Sequence, residues 1–404
     1  MSREEDNSNA SPLDGIRVVE IGTFIAGPFA GQQLGDLGAD VIKVEQPGVG
    51  DPMRHWHDFG EGDLWWPSIA RNKRSLAMNL SKPESRDTFL TIVRQADVLL
   101  ENFRPGTLEK WGLGPDVLLA ENPRLVMTRV SGFGQDGPRS SEPGFGSIGE
   151  AMGGIRHLTG WPDRVSTRSG ISLGDQIASL FATIGTLAAL RHAEHTGVGQ
   201  VVDVAIYESV FALMESLVAE YELADHVRGR TGPSLPGVVP SNAYVTGDGD
   251  EVLIAANSDA IYERLIRALE LDELIGDQSL AGHVERGLHA DRVDKIINTR
   301  TRELSTKELI VKLRESDVPH GKIYAAPDIA TDPHFAARGA ILRKTAEGIS
   351  GDVAMPAPTP RLSVTPGKVR HLGPALGAHT EEILAELCGA TTEDLDRLRS
   401  AGVI

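Results

Sequence analysis

Short apolar segments alternate with helical segments over the first third of the chain, and this alternation leaves few possible folds. Buried strands are predicted at 16–21, 41–45, 75–79, 98–100 and 125–130, with helical segments at 29–37, 85–95 and 108–120. Strands that are joined through helices by short connections pair in parallel, and a parallel sheet carries helices on both faces. The sequence therefore predicts a doubly wound, Rossmann-like α/β domain whose ligands lie at the carboxyl ends of the strands.

Composition excludes several classes of protein. The net charge is −17, without a long acidic run, which argues against a nucleic-acid partner. No apolar run reaches the about 18 residues that span a bilayer, and residues 1–11 lack a signal-peptide core. A single cysteine, Cys388, excludes an intrachain disulfide and a thiolate metal cluster. We expect a cytoplasmic protein with no membrane partner, and we interpret residues 1–11 as a disordered lead-in.

Asp175 is the strongest candidate for a catalytic residue. It follows Gly174 and opens a long apolar helical pattern, and Gly170 stands a few residues before it. A carboxylate in a first helical turn is kept ionised by the positive end of the helix dipole, and the glycines let other groups approach closely. Such a carboxylate can attack an acyl group. The alternative interpretation is a simple N-terminal helix cap.

Loops rich in glycine, proline and aromatic residues follow three predicted strands, at 26–28, 101–106 and 131–138. Loops of this kind at strand ends indicate one large ligand laid across them. The segment 132–137 matches G-x-G-x-x-G, but it neither follows the first strand nor opens a helix, so it does not predict an NAD site.

Basic and aromatic residues near these loops are candidates for ligand contacts. The basic residues are either phosphate contacts or ordinary surface charges. The aromatic residues could bracket an adenine or an acyl chain, or belong to the core. The basic residues are Arg71, Lys73, Arg74, Arg104 and Lys110, and the aromatic residues are Trp65, Trp66 and Phe103.

Motifs of other enzyme classes are missing from the sequence. The histidine pairs His55–His57 and His192–His195 lack the spacing of a zinc protease, and we predict no metal site. Neither a G-x-S-x-G elbow nor a P-loop is present, so a serine-hydrolase triad and a nucleotide-triphosphate site have no support.

The second half of the chain predicts another domain. After a strand at 201–206 and a long helix at 207–221, the composition of 228–241 turns to Gly, Pro, Ser and Arg, which is typical of a mobile loop or linker. We expect the next domain to open with a strand at 252–255. Helices are then predicted at 260–269, 292–298, 306–315, 381–387 and 392–399.

Seven segments form one ordered pattern that is specific as a set, although no single segment is. They are 13–20, 26–28, 34–45, 101–106, 131–135, 151–154 and 174–175. Together they resemble the family III CoA-transferases of the CaiB/BaiF type, the group of formyl-CoA transferase and carnitine CoA-transferase. The resemblance covers nearly the whole chain.

The resemblance implies an interlocked homodimer in which each chain passes through the ring of the other. It also implies that both ends of the chain build the large Rossmann-like domain and that the middle builds a smaller α+β domain. We therefore predict the large domain at 12–225, a linker or lid loop at 226–241, the small domain at 242–335, and a return segment at 336–404 that completes the large domain.

The resemblance places the family's catalytic aspartate at Asp175. It implies an aspartyl anhydride followed by an aspartyl-CoA thioester, with coenzyme A as part of an acyl-CoA substrate and with no prosthetic group or metal. The residues that we assign to CoA binding are Ala26, Gly27, Arg74, Asn102, Phe103, Arg104, Lys110 and Gly134.

Two positions depart from the formyl-CoA transferases. Ile25 stands where they carry a glutamine, and their glycine-rich lid is represented by 231–237. The segment 143–154 looks most like members that move CoA between dicarboxylates. We therefore expect succinyl-CoA as the donor and malate, citramalate, itaconate or mesaconate as the acceptor, with Arg71, Arg104 or Arg168 as candidates for the distal carboxylate.

Two other functions remain open from the sequence. A 2-methylacyl-CoA racemase on the same fold needs a histidine and an aspartate to move a proton, and Phe145 occupies the histidine position. A binding module without chemistry would need no nucleophile, and it would tolerate the loss of Asp175.

Overall fold

In the computed structural model, which describes residues 11–56, 60 and 63–404, the chain divides into two units. The first unit contains the chain up to residue 155 together with 169–217 and 338–404, and the second contains 156–168 and 218–337. Residues 156–168 join the second unit because they hydrogen-bond to the segment around Gly232, whose N–H donates to the Gly160 carbonyl at 2.9 Å. Apart from residue 11, the predicted lead-in at 1–11 lies outside the described residues.

Six parallel strands form the central sheet of the first unit, as the alternating pattern predicted. Their order is β3-β2-β1-β4-β5-β6, which is the order of a doubly wound dinucleotide-binding sheet. In such a sheet the crevice for a ligand opens between β1 and β4, where the direction of winding changes. The strands are β1 (Arg17–Glu20), β2 (Asp40–Glu45), β3 (Lys73–Ala77), β4 (Val98–Glu101), β5 (Val126–Ser131) and β6 (Gln200–Ala205).

Helices cover both faces of this sheet. Successive strand residues point to opposite faces. Val18 packs into the core that contains Ala30 and Ala182, whereas Val19 packs into the core that contains Phe89 and Leu387. The helices of the first unit are α1 (Ala26–Asp36), α2 (Trp66–Ile69), α3 (Arg86–Val93), α4 (Thr107–Lys110), α5 (Pro115–Glu121), α6 (Gly146–Met152), α8 (Leu173–Thr196) and α9 (Ile206–Phe211). Two further helices, α7 (Ile155–Leu158) and α10 (Leu217–Ala224), lie almost entirely in the second unit.

Helix α8 is long and apolar enough to cross a membrane by length and composition. Half of its most apolar window is buried inside the fold, where Ala178 and Ala182 pack into the same core as Val18. We interpret α8 as a core helix of the first unit.

The second unit is a small α+β arrangement around a three-stranded antiparallel sheet, with the strand order β7-β8-β9. Its core contains Tyr244, Ile254 and Leu265. The strands are β7 (Ser241–Val245), β8 (Glu251–Ala255) and β9 (His320–Lys322), and the helices are α11 (Asp259–Leu269), α12 (His283–Leu288), α13 (Ala290–Thr301), α14 (Thr306–Glu315), α15 (Ala326–Thr331) and α16 (Pro333–Ala337).

The last part of the chain returns to the first unit. It begins with an antiparallel hairpin and ends with two helices that pack into the core around Val19. These elements are β10 (Ile341–Thr345), β11 (Asp352–Pro356), α17 (Thr380–Cys388) and α18 (Thr392–Ser400).

One predicted helix and the predicted first strand of the second domain are wrong. The long helix predicted at 207–221 is broken between α9 and α10, because Glu215 adopts a φ of 52°, through which a right-handed helix cannot continue. The first strand of the second unit is β7 rather than the strand predicted at 252–255, which is present as β8. Strand β7 is an edge strand in which only Tyr244 is fully buried, so its sequence carries little apolar signal.

A buried ionic network joins β1, β2 and β3. Glu20 is completely buried, and Lys43 and Lys73 are each 1% exposed. The Lys43 Nζ atom lies 3.1 Å from a Glu20 oxygen and 2.7 Å from an Asp51 oxygen, and Lys73 Nζ lies 2.8 Å from the other Glu20 oxygen. Two cations thus neutralise two carboxylates, which compensates for the cost of burying them.

This network also fixes the loop that follows β1. Lys43 donates to the Gly22 carbonyl, and Lys73 donates to the Pro28 carbonyl at 2.7 Å. Asp51 accepts from the Phe24 N–H at 3.1 Å. Burial alone would lower the pKa of Lys43, but the carboxylates of Asp51 and Glu20 raise it above its ordinary value, so the ammonium stays charged.

We expect Lys73→Met to destabilise the protein strongly. The substitution removes one of the two cations beside Glu20 and leaves excess negative charge buried, which typically costs about 3–5 kcal/mol. The measurement is urea unfolding of the purified variant. As a control, Arg94→Met breaks the exposed pair with Glu121 and should cost less than about 1 kcal/mol. An equal, small effect of both substitutions would contradict the importance of the network.

Candidate active site

Asp175 lies in the first turn of α8, where the sequence placed it. It is partly buried. Its carboxylate lies directly against Gly146, the first residue of α6, where a methyl group would overlap the carboxylate oxygens. Gly146 therefore has to lack a side chain for the Asp175 carboxylate to occupy this position.

Gly174 makes the same kind of close contact from the other side. A Cβ atom on Gly174 would lie 2.7 Å from the Gly146 carbonyl oxygen, so the first turns of α6 and α8 touch through backbone atoms. The Gly174 N–H donates to Glu150 Oε1 at 3.2 Å. Sequence reasoning missed Glu150, although a carboxylate within the small apolar helix α6 is an available signal.

Ser179 joins the first turn of α8 to the start of α1. Its hydroxyl lies 2.6 Å from the Ala26 carbonyl and 2.7 Å from the Asp175 carbonyl, and the side chain is completely buried. The structure thereby brings the predicted residues Ala26 and Gly27 next to the turn that carries Asp175. Helix α1 has no side-chain cap, and the first amides of a helix have no partner within it.

Asn102 braces the loop between β1 and α1 at the point where the sheet changes its winding direction. Its Oδ1 accepts from the Thr23 N–H at 2.7 Å, and its Nδ2 donates to the Thr23 carbonyl at 2.8 Å. Gly22 and Gly27 pack closely on the same amide, because a Cβ atom on either would lie within 3.2 Å of it. Asn102 therefore holds the backbone from which α1 starts, whatever its contact with a ligand.

Phe24 occupies a strained position in this loop. Its φ is 64°, which is unusual for a bulky residue and marks a backbone that its surroundings hold in place. Its ring meets the Phe145 ring edge to face at 6.5 Å and the Trp56 ring at 5.8 Å. Phe145 directly precedes Gly146 and is 64% exposed, so an exposed aromatic side chain is adjacent in the chain to the glycine that contacts the Asp175 carboxylate.

A cleft of about 190 Å³ opens at the carboxyl ends of β1 and β2. Phe103 and Trp111 line it, with ring centroids 5.3 Å apart in an edge-to-face arrangement. Lys43 and Asp51 of the buried network also contribute to its wall. The predicted residue Phe103 therefore contacts the cleft, and Arg104 and Lys110 are exposed close to it along the chain.

Arg74 is not among the predicted residues that lie near this cleft. Its guanidinium pairs with Asp40 at 2.7 Å, Glu386 at 2.7 Å and Glu382 at 2.9 Å, and these contacts raise its pKa although partial burial opposes them. Asp40 begins β2, so Arg74 lies near the amino ends of the strands. Its predicted contact with CoA gains no support from this placement.

The basic residues Arg71 and Lys73 are not open to a phosphate, so that interpretation is wrong. Strand β3 begins at Lys73, two residues earlier than predicted, and both side chains turn inward. Arg71 is 2% exposed and donates to Asp36 at 2.9 Å and to the Pro356 carbonyl at 2.8 Å. Trp66 is likewise buried, with Arg54 stacked 3.9 Å from its ring.

Gly134 lies in the loop after β5. Its N–H donates to Ser131 Oγ at 3.0 Å, and the neighbouring Gln135 N–H donates to Asp203 at 2.9 Å. Burial and, less strongly, the nearby Asp136 carboxylate raise the pKa of Asp203. Glycine at 134 is required by its φ of 89°. Its predicted role in CoA binding stays a prediction.

The other predicted features lie elsewhere. In the part of the chain that the structure describes, no group of three or more His, Cys, Asp or Glu side chains could hold a metal ion; His57 is outside that part. In the second unit, the predicted lid segment contacts 156–168 through Gly232, which packs on the Trp161 ring. Arg168 is exposed.

Comparison with known proteins identifies the family. The model of CoA-transferase family III matches residues 13–380. The succinyl-CoA–D-citramalate CoA-transferase of Chloroflexus aurantiacus is 51% identical over 395 residues, which are 97% of this chain and 98% of that enzyme. The alpha subunit of succinyl-CoA–L-malate CoA-transferase from the same organism is 42% identical over 100% of this chain and 95% of the relative.

A solved structure gives the same result for the fold. A CAIB/BAIF family protein from Brucella suis superimposes with a TM-score of 0.83 at 32% identity, over 93% of this chain and 99% of that one. The match extends over both the parallel sheet and the small antiparallel sheet. This chain belongs to CoA-transferase family III.

Proposed function

We propose that this protein transfers CoA from succinyl-CoA to a dicarboxylic acid of the citramalate or malate type, with Asp175 as the covalent nucleophile. The observation that carries the proposal is the position of the Asp175 carboxylate, which lies against Gly146 and beside the first turn of α1. The relatives that act on succinyl-CoA with D-citramalate and with L-malate support the choice of substrates.

The reaction proceeds by four acyl transfers. The Asp175 carboxylate attacks the thioester carbonyl of succinyl-CoA, forming a mixed anhydride and releasing CoA thiolate. The thiolate attacks the aspartyl carbonyl, which gives an aspartyl-CoA thioester and free succinate. The acceptor carboxylate then attacks this thioester, releasing the thiolate again and forming a second anhydride. The thiolate finally attacks the acceptor's carbonyl and restores the Asp175 carboxylate, so one difficult exchange is divided into easier steps.

The start of α1 supplies stabilisation for the tetrahedral intermediates. The amides of Ala26 and Gly27 belong to the first turn of α1, whose dipole favours negative charge. Ser179 fixes the distance between this turn and Asp175, as its hydroxyl lies within 2.7 Å of both backbones. Donors fixed beforehand where an oxyanion forms contribute a large part of acyl-transfer catalysis.

The cleft beside β1 and β2 suits the nucleotide end of CoA. Phe103 and Trp111 give it an apolar, aromatic wall on which an adenine can stack. Arg104 and Lys110 are exposed nearby and are available to phosphate groups. On this assignment CoA extends along the loop that Asn102 braces, from the cleft toward Asp175.

The first prediction from the proposed function concerns the nucleophile. Incubation with succinyl-CoA and hydroxylamine should convert the activated Asp175 into a hydroxamate, because hydroxylamine captures acyl anhydrides and thioesters. Intact mass and peptide mapping should show the adduct in the wild type and not in Asp175→Ala. The matched control is Asp116→Ala, an exposed aspartate in the first turn of α5, which should be labelled normally. Labelling of Asp175→Ala at the wild-type level would rule out this nucleophile.

The second prediction concerns the contact between Gly146 and Asp175. Gly146→Ala introduces a methyl group that overlaps the carboxylate, and displacing a nucleophile by about 1 Å can lower its rate about 100-fold. Gly170→Ala is the control, because a methyl group at Gly170 would meet no atom within 4 Å. The steady-state rate of CoA exchange between succinyl-CoA and citramalate measures the activity of both variants. Full activity of Gly146→Ala would show that the contact is unimportant.

We also propose that the chain assembles as an interlocked homodimer. Helix α8 presents an apolar outer stripe in which Leu180 is 48%, Phe181 37% and Ile184 62% exposed. Adjacent apolar side chains on a surface mark a site of association. The family resemblance points to a second copy of the same chain as the partner.

The third prediction tests this assembly. Sedimentation should show a dimer for the wild type and a shift toward monomer or insoluble protein for Ile184→Glu, because a buried unpaired charge opposes association. Ile275→Glu is the control. Ile275 lies in the second unit and is 57% exposed, which is similar to Ile184, and its substitution should leave the dimer intact. A stable wild-type monomer, or a requirement for a second, different chain, would contradict a homodimer.

A further inference from the structure

Helix α6 contacts the first turn of α8 at two points that are one helical turn apart. Gly146 lies against the Asp175 carboxylate, and Glu150 accepts a hydrogen bond from the Gly174 N–H at 3.2 Å. Residues at i and i+4 lie on the same face of a helix. One face of α6 therefore contacts both the nucleophile and the peptide group just before it.

Glu150 is a buried carboxylate that the reaction itself does not use. It is 2% exposed, and a carboxylate is costly to bury unless it has charged or hydrogen-bonding partners. The mechanism above assigns every acyl transfer to Asp175 and to the thiolate. The hydrogen bond from the Gly174 N–H links Glu150 to the peptide group directly before Asp175.

The Gly174 N–H needs a partner that α8 cannot supply. Gly174 is the second residue of α8, and the first amides of a helix have no acceptor within it. Ser172, at the N-cap position, makes no side-chain cap hydrogen bond. Glu150 thus takes the place of a cap from a neighbouring helix, and its negative charge lies at the favourable end of the α8 dipole.

We propose that Glu150 is a positioning residue that holds the Asp175 carboxylate in its attacking position by fixing the Gly174 amide. The inference rests on the proposed role of Asp175. Gly174 needs this restraint because glycine has the widest conformational freedom, and here the absence of a Cβ atom is imposed by the close Gly146 carbonyl. Without the acceptor, the first turn of α8 can shift relative to α6.

The test separates the hydrogen bond from the charge. Glu150→Gln keeps an acceptor oxygen in the same place, and we expect kcat within about threefold of the wild type. Glu150→Ala removes the acceptor, and we expect kcat to fall about 10- to 100-fold while KM for succinyl-CoA changes little. The rate of hydroxylamine capture at Asp175 should fall by the same factor as kcat.

A matched control distinguishes positioning from general stability. Asp97 accepts from the Arg17 N–H at 2.8 Å, near the amino ends of β1 and β4 and thus on the edge opposite the site. Asp97→Ala should lower Tm, as Glu150→Ala does, but leave kcat unchanged. If Glu150→Ala does not fold, Glu150→Asp is measured instead. Aspartate keeps the negative charge, but its side chain is one methylene shorter, so the acceptor oxygen lies farther from the Gly174 N–H and kcat should fall.

Three results would overturn the proposal. The first is a wild-type kcat for Glu150→Ala. The second is an equal loss of kcat in Glu150→Gln and Glu150→Ala. The third is a wild-type kcat for both Glu150→Gln and Glu150→Asp. The second would assign the effect to the charge. Asp175→Ala separates this failure from failure of the proposed function: if its labelling is lost while Glu150→Ala is labelled at the wild-type rate, only the positioning role is wrong.

Discussion

The ion pairs of Lys43 and Lys73 with Glu20 and Asp51 lie under the loop from which the site is built. Two ammonium groups and two carboxylates are removed from water together, so none is left without a charged partner. Breaking one pair in such a group costs far more than the pair contributes over an apolar replacement. The network consequently acts less as a source of stability than as a constraint on geometry. It fixes the carbonyls of Gly22 and Pro28 and the amide of Phe24, which determines where α1 begins.

This constraint reaches the turn of Asp175 through contacts to backbone groups. Asn102 holds the Thr23 peptide from the side of β4, and Ser179 ties the Ala26 carbonyl to the first turn of α8. Glycines at 146 and 174 let α6 approach that turn with no side chain between them. The turn that carries Asp175 is therefore held against peptide groups whose positions the buried network and the sheet determine. Backbone groups fixed in this way do not have to reorganise when charge develops during acyl transfer.

The sequence predicted the sheet and the place of Asp175 in the first turn of a helix because both depend on local patterns. Alternating strands and helices determine a parallel sheet, and an aspartate after glycine before an apolar periodic segment indicates a carboxylate in a first helical turn. The partners of these residues were not predictable, since Ser179 meets Ala26 across 153 positions and Glu150 meets Gly174 across 24. Lys73 looked like a surface cation for the same reason: a buried lysine is recognisable only when its distant carboxylate is known. The break before α10 depends on the backbone of Glu215, which no periodicity reports.

In the mechanism that we propose, a carboxylate nucleophile suits an exchange between two carboxylic acids, because the attacking group, the released succinate and the acceptor have similar reactivity in every step. The disadvantage is that both anhydrides and the aspartyl thioester hydrolyse if water reaches them, so the site has to be dry during turnover. In the single chain, two apolar side chains of these elements are open to water. Phe145, next to Gly146, is 64% exposed, and Ile184, farther along the helix that carries Asp175, is 62% exposed. Apolar side chains in these positions gain free energy when another surface covers them. In the proposed dimer, assembly and protection of the intermediates therefore place the same demand on these apolar side chains.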